Sequence, residues 1–461
     1  MTQLSEFQAL KELIHTHLDK YDSLLKESNT PEPFLNEARL HPVMDVNNHI
    51  SDKDLWVTTR NLASALDMMA TLIQHPSDYL MGEAMCTYKA LSLQMATSLN
   101  LADVIKELGG SSGKPVSVDD IGAKVGLHPT RVSKVLRPLA NSHIFRETSE
   151  GYFASNRTSL HLLEECDVKE FVQYATWMEP RVVPSVPDVW LKPEYRDDFS
   201  PANTAFLHAF SVQHKVRDAF ELFQEHLPEI GERFGVAMQA CNRGSVEGCL
   251  FDYPWSEFPE GTICVDVGGG IDGLTSALLQ EYSNLNGLIQ DRPEVVARAR
   301  DRFEKIMPDA VASGRVQFEA ADFFQEVKWS GPKTVYMLRM IVHDWPDELV
   351  LKIFDNIKVQ MQQDSKLVII DTLIQPAVVA GQKDGGQDLV KQRGETPYPL
   401  YRSGGVVGNW IQRVDQEVNV GLNATERTPT EFKTLVEKAG LKVESIIQPR
   451  SRHGIITAVL P

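Results

Sequence analysis

The sequence predicts an α/β protein in which a doubly wound parallel sheet follows a largely helical N-terminal half. Three observations support this fold class. From residue 261 onward, short apolar strands alternate with amphipathic helices, the pattern of a parallel sheet covered by helices on both faces. Residues 115–155 contain two helical segments and a short hairpin, which is a winged-helix pattern. Much of the remaining N-terminal half shows the helical spacing of apolar residues.

The length of 461 residues is too great for one ordinary hydrophobic core and predicts several domains. We expect, in chain order, a helical extension over residues 1–80, a winged-helix dimerisation domain over 81–160, a helical segment forming a substrate pocket over 161–255, and a ligand-binding α/β domain over 256–461. A segment rich in Gly, Pro and Gln interrupts the last domain at about 375–409, and we expect it to be a surface insertion.

The composition excludes several classes of partner. The apolar content of 42% and charged content of 24% are those of a globular protein, and the formal net charge of −17 opposes binding to nucleic acid or to an anionic membrane. The chain shows no apolar run near the roughly 18 residues that span a bilayer. The N-terminus has no secretory signal and the five cysteines are scattered, which predicts a cytoplasmic protein with reduced thiols.

Local signals define the elements of the N-terminal half. The segment FQALKELIHTHLDKYDSLLKE keeps its apolar residues on one helical stripe, and the pattern is helical again from about residue 56 to 100. Ser117 and Gly126 have the residue types of a helix N-cap and a helix C-terminus. The second helix of the winged-helix unit has few basic residues, so we expect this unit to pack or dimerise rather than to bind DNA.

The stretch VDVGGGIDGL combines a strand, a glycine turn and the start of a helix, which lets a ligand lie against the backbone at the carboxyl end of the strand. The glycine turn of Gly268, Gly269 and Gly270 is weak evidence by itself for the identity of the ligand, and the residues at the ends of the next strands decide it. Asp272 stands where the pattern D-x-G-x-G-x-G has its last glycine. A carboxylate at that position could cap the following helix or contact a cationic ligand.

Polar residues at the ends of the next strands narrow the ligand class. The second strand ends in Asp291, whose carboxylate can accept hydrogen bonds from both hydroxyls of a ribose. The third ends in Asp322 and Phe323, which suit the amino group and the ring face of adenine, and the fourth leads into His343. Acids after successive strands favour a nucleoside without phosphates, and the cationic S-adenosylmethionine is such a ligand.

A series of motifs in this sequence resembles the class I S-adenosylmethionine-dependent O-methyltransferases of the plant caffeate and fungal secondary-metabolite type. The motifs are IFRE…GYFAS, VDVGGG, QDRPEVV, AADFF, LRMIVHDWPDE, KLVIIDTLI, NATERTPTEF and EKAGLKV, from roughly residue 85 to the C-terminus. The resemblance implies a Rossmann-like methyltransferase domain preceded by an α-helical winged-helix dimerisation domain. It also implies S-adenosylmethionine as cofactor, a small-molecule substrate and a homodimer, with no metal.

The resemblance implies roles for individual residues as well. The cofactor site would contain Gly268, Gly269, Gly270, Asp291, Asp322, Phe323 and Arg339. The histidine of the H-D-W motif is the general base of the family, which is His343 here. The acid after the next strand falls on Asp371 and the acid of the E-R-T motif on Glu426, and both would steer this histidine.

These roles agree with the chemistry of methyl transfer. A hydroxyl that attacks a sulfonium methyl must lose its proton, and a neutral histidine near its unperturbed pKa suits that task. A carboxylate on the other ring nitrogen fixes the tautomer and stabilises the imidazolium. The candidate substrate contacts are His161, Trp177 and Asp415, although His161 is also compatible with a packed structural histidine. Polar residues around Asp415, including Glu417, predict a polar acceptor.

Three functions are compatible with this pattern. The first is methylation of a phenol or enol hydroxyl of a small secondary metabolite, by a homodimer interlocked through its N-terminal helices. The second is a pericyclase that binds S-adenosylmethionine without transferring the methyl group and guides dehydration and Diels–Alder or Alder-ene ring closure of a polyketide-derived pyridone. The third, a winged-helix regulator that senses S-adenosylmethionine, is disfavoured by the acidic charge and by the complete catalytic set.

Overall fold

The computed structural model describes residues 4–46, 49–110, 113–241, 245–271, 273–325, 327–382, 389–391 and 394–461, and only the backbone of residues 239 and 241. The helices of the N-terminal half are α1 (Glu6–Glu27), α2 (Lys53–Ile73), α3 (Pro76–Ala84), α4 (Cys86–Ser98), α5 (Leu101–Gly109), α6 (Val118–Val125), α7 (Pro129–Asn141), α8 (Asp167–Val182), α9 (Val186–Trp190), α10 (Ala205–Ala209), α11 (Ala219–Glu221), α12 (Pro228–Cys241) and α13 (Val246–Phe251). Those of the C-terminal half are α14 (Leu274–Glu281), α15 (Pro293–Ile306), α16 (Pro308–Ala312), α17 (Asp347–Lys358), α18 (Asn409–Leu422) and α19 (Pro429–Lys438). The strands are β1 (Val116–Ser117), β2 (Arg146–Ser149), β3 (Tyr152–Ala154), β4 (Thr262–Val267), β5 (Leu285–Asp291), β6 (Val316–Ala320), β7 (Thr334–Arg339), β8 (Lys366–Thr372), β9 (Val390–Lys391), β10 (Lys442–Ile447) and β11 (His453–Val459).

The large sheet has the strand order β6-β5-β4-β7-β8-β11-β10-β9. Strands β4 to β8 pair in parallel, and β11 runs antiparallel to β8 and β10. The direction of winding reverses between β4 and β7, so the carboxyl ends of these strands form the crevice at which α/β sheets bind ligands. The predicted doubly wound α/β fold is confirmed.

Helices cover both faces of this sheet through two separate apolar clusters. In one cluster, Tyr336 of β7 packs with Phe354 of α17 and Phe432 of α19. In the other, Phe303 of α15 and Leu278 of α14 pack on the opposite side. Because both faces are occupied by helices, the edge at the carboxyl ends of the strands is the place where a ligand can reach the backbone.

The winged-helix unit has the local structure that its sequence predicts. Strands β1, β3 and β2 form a small antiparallel sheet beside α6 and α7. Ser117 caps α6 by accepting a 3.1 Å hydrogen bond from the backbone N–H of Asp120. Gly126 ends the helix with a φ of +70°, a left-handed conformation that glycine adopts without steric cost.

The N-terminal helices α1 and α2 pack against each other, and their shared apolar face meets the segment that we expected to be a surface insertion. Leu10 and Ala65 form a buried cluster with Leu400 of that segment. Ser64 Oγ donates a 2.6 Å hydrogen bond to the carbonyl of Gly404. The same segment supplies β9, which pairs in parallel with β10. The expected surface insertion is therefore partly buried, because the apolar face of the helix pair α1 and α2 packs against it.

Helices α8 to α13 form the connection between the winged-helix unit and the large sheet. Their aromatic residues make a core of their own, which includes Tyr174 and Phe206 and is joined by Val420 of α18. Through this contact, the helical segment packs against α18, the helix that follows the insertion. No helix within the described ranges is both long and apolar enough to cross a membrane.

Candidate active site

The glycine turn after β4 exposes backbone at the carboxyl edge of the sheet. Gly268 and Gly270 have φ values of +74° and +65°, and an ideal Cβ at Gly268 would lie 2.6 Å from Cδ1 of Ile341. A side chain at position 268 therefore meets both a steric clash and a strained backbone. Gly269 lies between them, and an ideal Cβ there would lie 2.8 Å from Cγ of Asp266. Asp272 lies outside the described residues.

Two acids stand beside this turn. Asp291 ends β5 and accepts backbone hydrogen bonds from Gly270 at 2.9 Å and from Arg292 at 2.7 Å. Asp266 lies buried in β4 and accepts a 2.6 Å hydrogen bond from Oγ1 of Thr275. Burial raises the pKa of both carboxyl groups above the ordinary value, and their hydrogen bonds oppose that shift. An edge with these two acids suits a ligand that carries a positive charge.

The ends of β6 and β7 complete the same edge. Asp322 is exposed and caps its own turn, accepting a 2.9 Å hydrogen bond from the backbone N–H of Phe324. Phe323 lies beside the glycine turn, since an ideal Cβ at Gly268 would be 3.5 Å from its ring. Arg339 ends β7, and its charge partly offsets the effect of burial on the pKa of Asp266.

His343 lies in a short 3-10 turn after β7, where three carboxyl groups surround its ring. Nδ1 is 2.9 Å from Oε1 of Glu426 and 3.8 Å from Oδ1 of Asp371. Nε2 is 3.4 Å from Oδ1 of Asp344. Asp371 also accepts a 3.1 Å hydrogen bond from the backbone N–H of His343, so it holds the turn as well as the ring. The ring and all three carboxyl groups thus form one compact group.

The charge balance of this cluster differs from the sequence-based expectation of a histidine near its unperturbed pKa. Burial opposes the imidazolium, but the carboxylates of Asp371, Glu426 and Asp344 outweigh it and raise the pKa of His343 well above 6.5. Burial also raises the pKa of Asp371 to about 7 and that of Asp344 to about 6. The groups therefore share protons near neutral pH, and the imidazolium form is favoured.

Arg427, which is buried, and Asp415, which is half-buried, hold the cluster in place. Arg427 donates to the carbonyls of Val342 at 2.8 Å and Trp345 at 2.9 Å, the residues that bracket the histidine turn. Asp415 of α18 accepts a 2.8 Å hydrogen bond from the backbone N–H of Glu426. These bonds fix the His343 turn and the Glu426 backbone relative to each other, so the 2.9 Å contact depends on segments far apart in the chain.

The helices beside the cluster bring further acids towards it. Burial raises the pKa of Glu417 on α18 to about 7; the negative charge of Glu179 on α8 raises it further, and the charge of His343 lowers it. Burial likewise raises the pKa of Glu179. Trp177, one turn of α8 before Arg181, has that guanidinium 4.0 Å from its ring centroid. Helices α8 and α18 therefore line the approach to His343 with polar side chains.

Two family models match this chain. The model of the O-methyltransferase domain matches residues 196–391, and that of the O-methyltransferase dimerisation domain matches residues 84–165. The chain belongs to the O-methyltransferase family. The resemblance inferred from the motifs is thereby confirmed, together with the fold that it implied. The first match covers α10 to α17 and strands β4 to β9 of the large sheet, and the second covers the winged-helix unit with α4 and α5.

Individual relatives are distant but match over most of their length. The chain is 27% identical over 442 residues to the O-methyltransferase tpcA of Aspergillus fumigatus, with 89% of each chain covered. It is 25% identical over 410 residues to the phenazine O-methyltransferase PhzM of Lysobacter antibioticus, with 87% of this chain and 99% of the relative covered.

Solved structures show the same fold. LaPhzM superposes with a TM-score of 0.63 at 24% identity, covering 84% of this chain and 100% of its own. LepI in complex with SAM superposes with a TM-score of 0.67 at 19% identity, covering 97% of this chain and 99% of its own. A structure described as a pericyclic reaction enzyme has the same TM-score and identity and covers 98% of this chain. At these identities the likeness concerns the fold alone.

The structure brings most of the predicted site residues of this family member together, with two exceptions. His161 lies near Asp45, whose pKa its charge lowers, and within the described residues no hydrogen bond or ring contact joins it to His343. Asp415 uses its carboxylate on the backbone of Glu426, as described above, so its observed contact is with the protein. The substrate contacts of His161 and Asp415 stay a prediction.

Sequence reasoning missed three features of the site. Asp344 follows His343 directly in the H-D-W motif and received no role of its own. Its carboxyl group nevertheless lies at Nε2, the second ring nitrogen of His343. Arg427 follows Glu426 and carried no signal, because its role depends on carbonyls more than eighty residues away. Glu179 has the helical spacing of a surface residue, and only the tertiary packing around α8 shows that it is mostly buried.

Proposed function

We propose that this protein is an S-adenosylmethionine-dependent O-methyltransferase that acts on a phenol or enol hydroxyl of a small secondary metabolite, with His343 as the general base. The observation that carries the proposal is the 2.9 Å contact between Nδ1 of His343 and Oε1 of Glu426, with Asp371 on the same side of the ring. A carboxylate at Nδ1 fixes the tautomer in which Nε2 can accept a proton. Membership of the family makes methyl transfer the expected reaction.

The cofactor edge fits S-adenosylmethionine. The Gly268–Gly270 turn leaves room that a Cβ would fill, as a ligand lying against backbone requires. Asp291 would accept hydrogen bonds from the ribose hydroxyls, and the ring of Phe323 would contact adenine. The buried acids Asp266 and Asp291 suit a cation. When bound, this cofactor supplies an electrophilic methyl group on a sulfonium.

The residues of the chain would act on the acceptor rather than on the methyl group. Nε2 of His343 would take the proton of the acceptor hydroxyl, and Glu426 and Asp371 would stabilise the imidazolium that results. Arg427 and Asp415 would keep this geometry through the backbone contacts described above. The rest of the rate enhancement would come from holding the nucleophile in line with the electrophile.

The acids near His343 favour a polar acceptor. Glu417 has a pKa of about 7, so near neutral pH its carboxyl group is partly protonated and can donate as well as accept hydrogen bonds. Glu179 faces the same region with a raised pKa. An acceptor with several hydroxyl or nitrogen groups would satisfy these buried carboxyls, whereas a purely apolar ring would leave them without partners.

The test is the stoichiometry of turnover with labelled S-adenosylmethionine and a panel of phenols and pyridones. We expect one equivalent of S-adenosylhomocysteine for each product formed, together with transfer of label. Product that forms without S-adenosylhomocysteine would contradict methyl transfer and would support the pericyclase alternative, in which the cofactor is retained over many turnovers.

We also propose that the protein acts as a homodimer. Leu80, Met81, Met85 and Tyr88, on α3 and at the start of α4, each expose 59–65% of their surface, and they lie at or next to the matched dimerisation region. An apolar patch of this kind marks a protein interface. We expect a dimer in sedimentation and a monomer after the double substitution Leu80→Lys and Met85→Lys. A wild-type monomer at micromolar concentration would contradict the proposal.

A further inference from the structure

A second cavity, of about 250 Å³, lies at the same edge of the sheet but on its other half. Its walls are α2, residues 395–408, the start of α18 and the connection between β10 and β11. Its lining includes Leu373, two residues beyond Asp371, but none of the residues of the His343 cluster. The cavity is therefore a neighbour of the candidate active site and is separate from it.

The charge of this cavity is opposite to that of the chain. Three arginines line it, namely Arg60, Arg402 and Arg452, and Glu395 is the one acid in the lining among the described residues. The whole protein carries a formal charge of −17. The negative net charge of the chain would not predict this local cluster of positive charge. The cluster attracts anions only inside the cavity.

Arg60 carries most of the argument. Burial lowers the pKa of its guanidinium to about 10, because no carboxylate offsets the loss of water. Within the described part of the chain, the guanidinium makes no hydrogen bond or ion pair, and it lies 4.7 Å from the ring centroid of Trp56. Its Nη2 would be 3.2 Å from an ideal Cβ at Gly404, so the absence of a side chain at Gly404 leaves room for the guanidinium against this turn.

The opposite wall repeats this arrangement. The guanidinium of Arg452 lies 4.9 Å from the ring centroid of Trp410, at the beginning of α18. Arg402 is 3% exposed and donates a hydrogen bond to the carbonyl of Gln382. The cavity thus has an indole ring with a stacked guanidinium on each of two walls.

We propose that this cavity is a binding site for a small aromatic carboxylate. Guanidinium groups form paired hydrogen bonds with carboxylate oxygens, and a partly buried guanidinium without a counter-ion gains most from such a partner. The indole rings of Trp56 and Trp410 select a planar aromatic body. The chain supplies both recognition elements within one cavity.

The site is placed to affect the active site. Leu373 on its floor follows β8, which carries Asp371, and Trp410 begins α18, which carries Asp415 and Glu417. An occupant would therefore contact the two elements that hold the carboxyl groups around His343. The proposal concerns ligand binding only. It does not depend on whether the protein transfers methyl groups.

Calorimetry with benzoate, in the presence of S-adenosylhomocysteine, tests the proposal. We expect benzoate to bind and benzamide, which has the same shape without the charge, to bind about tenfold more weakly or not measurably. Inorganic phosphate should also bind at least about tenfold more weakly than benzoate, because it lacks the ring. Equal affinities for benzoate and benzamide, or for benzoate and phosphate, would overturn the assignment of an aromatic carboxylate.

Variants locate the binding. Arg60→Met should weaken benzoate binding by about tenfold or more, and Arg60→Lys should retain part of the affinity. Arg131→Met, the same change at an exposed position of α7, is the matched control and should change nothing. The proposal is wrong if benzoate affinity is unaffected by Arg60→Met, or if His343→Ala abolishes it.

A second measurement keeps the test valid if Arg60→Met does not fold. Binding of benzoate should change the tryptophan fluorescence of the wild-type protein, since two of its indole rings line the cavity. Trp56→Phe should reduce this change while retaining an aromatic wall. An undiminished signal in Trp56→Phe would place the ligand elsewhere.

Discussion

Two sites at one edge of the same sheet, the His343 cluster and the Arg60 cavity, carry opposite charge. Around His343, three carboxyl groups surround one imidazole, and burial raises the pKa of Asp371 and Asp344. Among the described residues that line the cavity around Arg60, three are arginines and one is a glutamate, and burial lowers the pKa of Arg60. The same loss of water thus destabilises charges of both signs. The difference teaches that net charge predicts long-range partners, whereas the ligand of a cavity follows from its own lining.

The largest expected effect is the loss of the base in the His343 cluster. We expect His343→Ala to lower turnover by about 10²–10⁴-fold, because this variant lacks the imidazole that accepts the proton of the acceptor hydroxyl. Cofactor affinity should stay nearly intact in calorimetry. His15→Ala, at an exposed position of α1, is the matched control, and normal turnover there combined with a loss in His343→Ala would show that the effect is specific to His343.

A smaller effect is expected at the cofactor edge. Asp291→Ala should weaken binding of S-adenosylmethionine by about an order of magnitude or more, because hydrogen bonds to a charged group are worth roughly 1.5–3 kcal/mol each. Asp301→Ala, at an exposed position of α15, provides the control. Unchanged affinity in Asp291→Ala by calorimetry would remove this residue from the cofactor site.

The pH dependence of turnover tests the charge of the His343 cluster directly. Only neutral imidazole accepts a proton, so activity should rise with pH, and the raised pKa of His343 places this rise above pH 6.5. Glu426→Gln removes one of the negative charges that stabilise imidazolium. The rise should therefore move to lower pH, while the plateau falls because the ring is less well oriented.

A rise that stays at the same pH in Glu426→Gln would contradict the electrostatic role of this residue. A variant that is merely misfolded would lose activity at every pH without moving the midpoint. The midpoint therefore distinguishes a positioning carboxylate from a structural one.

The smallest effect is expected at the helix between the two sites. Glu417→Gln keeps the size of the side chain and some of its hydrogen bonding, so we expect the KM for the acceptor to rise by about two- to tenfold. The kcat should change little, because this carboxyl group lies outside the proton-transfer contact. A loss of kcat with an unchanged KM would instead place Glu417 in the chemical step.

Much of the fold could be predicted from the sequence because its signals are local. Apolar strands alternating with amphipathic helices predicted the doubly wound sheet, and Ser117 and Gly126 marked the ends of α6. The glycine turn and the acids that end the strands were also visible, because the carboxyl ends of parallel strands meet at one edge. These features need only short stretches of chain and the rules of strand and helix geometry.

The tertiary structure alone decided the neighbours and the charge state of the site residues. His343 meets Asp371 across 28 positions and Glu426 across 83, and Asp415 accepts a hydrogen bond from the backbone of Glu426. The partly buried segment beside Leu10 and the arginine cavity depend likewise on distant contacts. The physical reason is that desolvation and Coulomb interactions depend on which segments pack together, and no local pattern encodes the resulting pKa values or cavities.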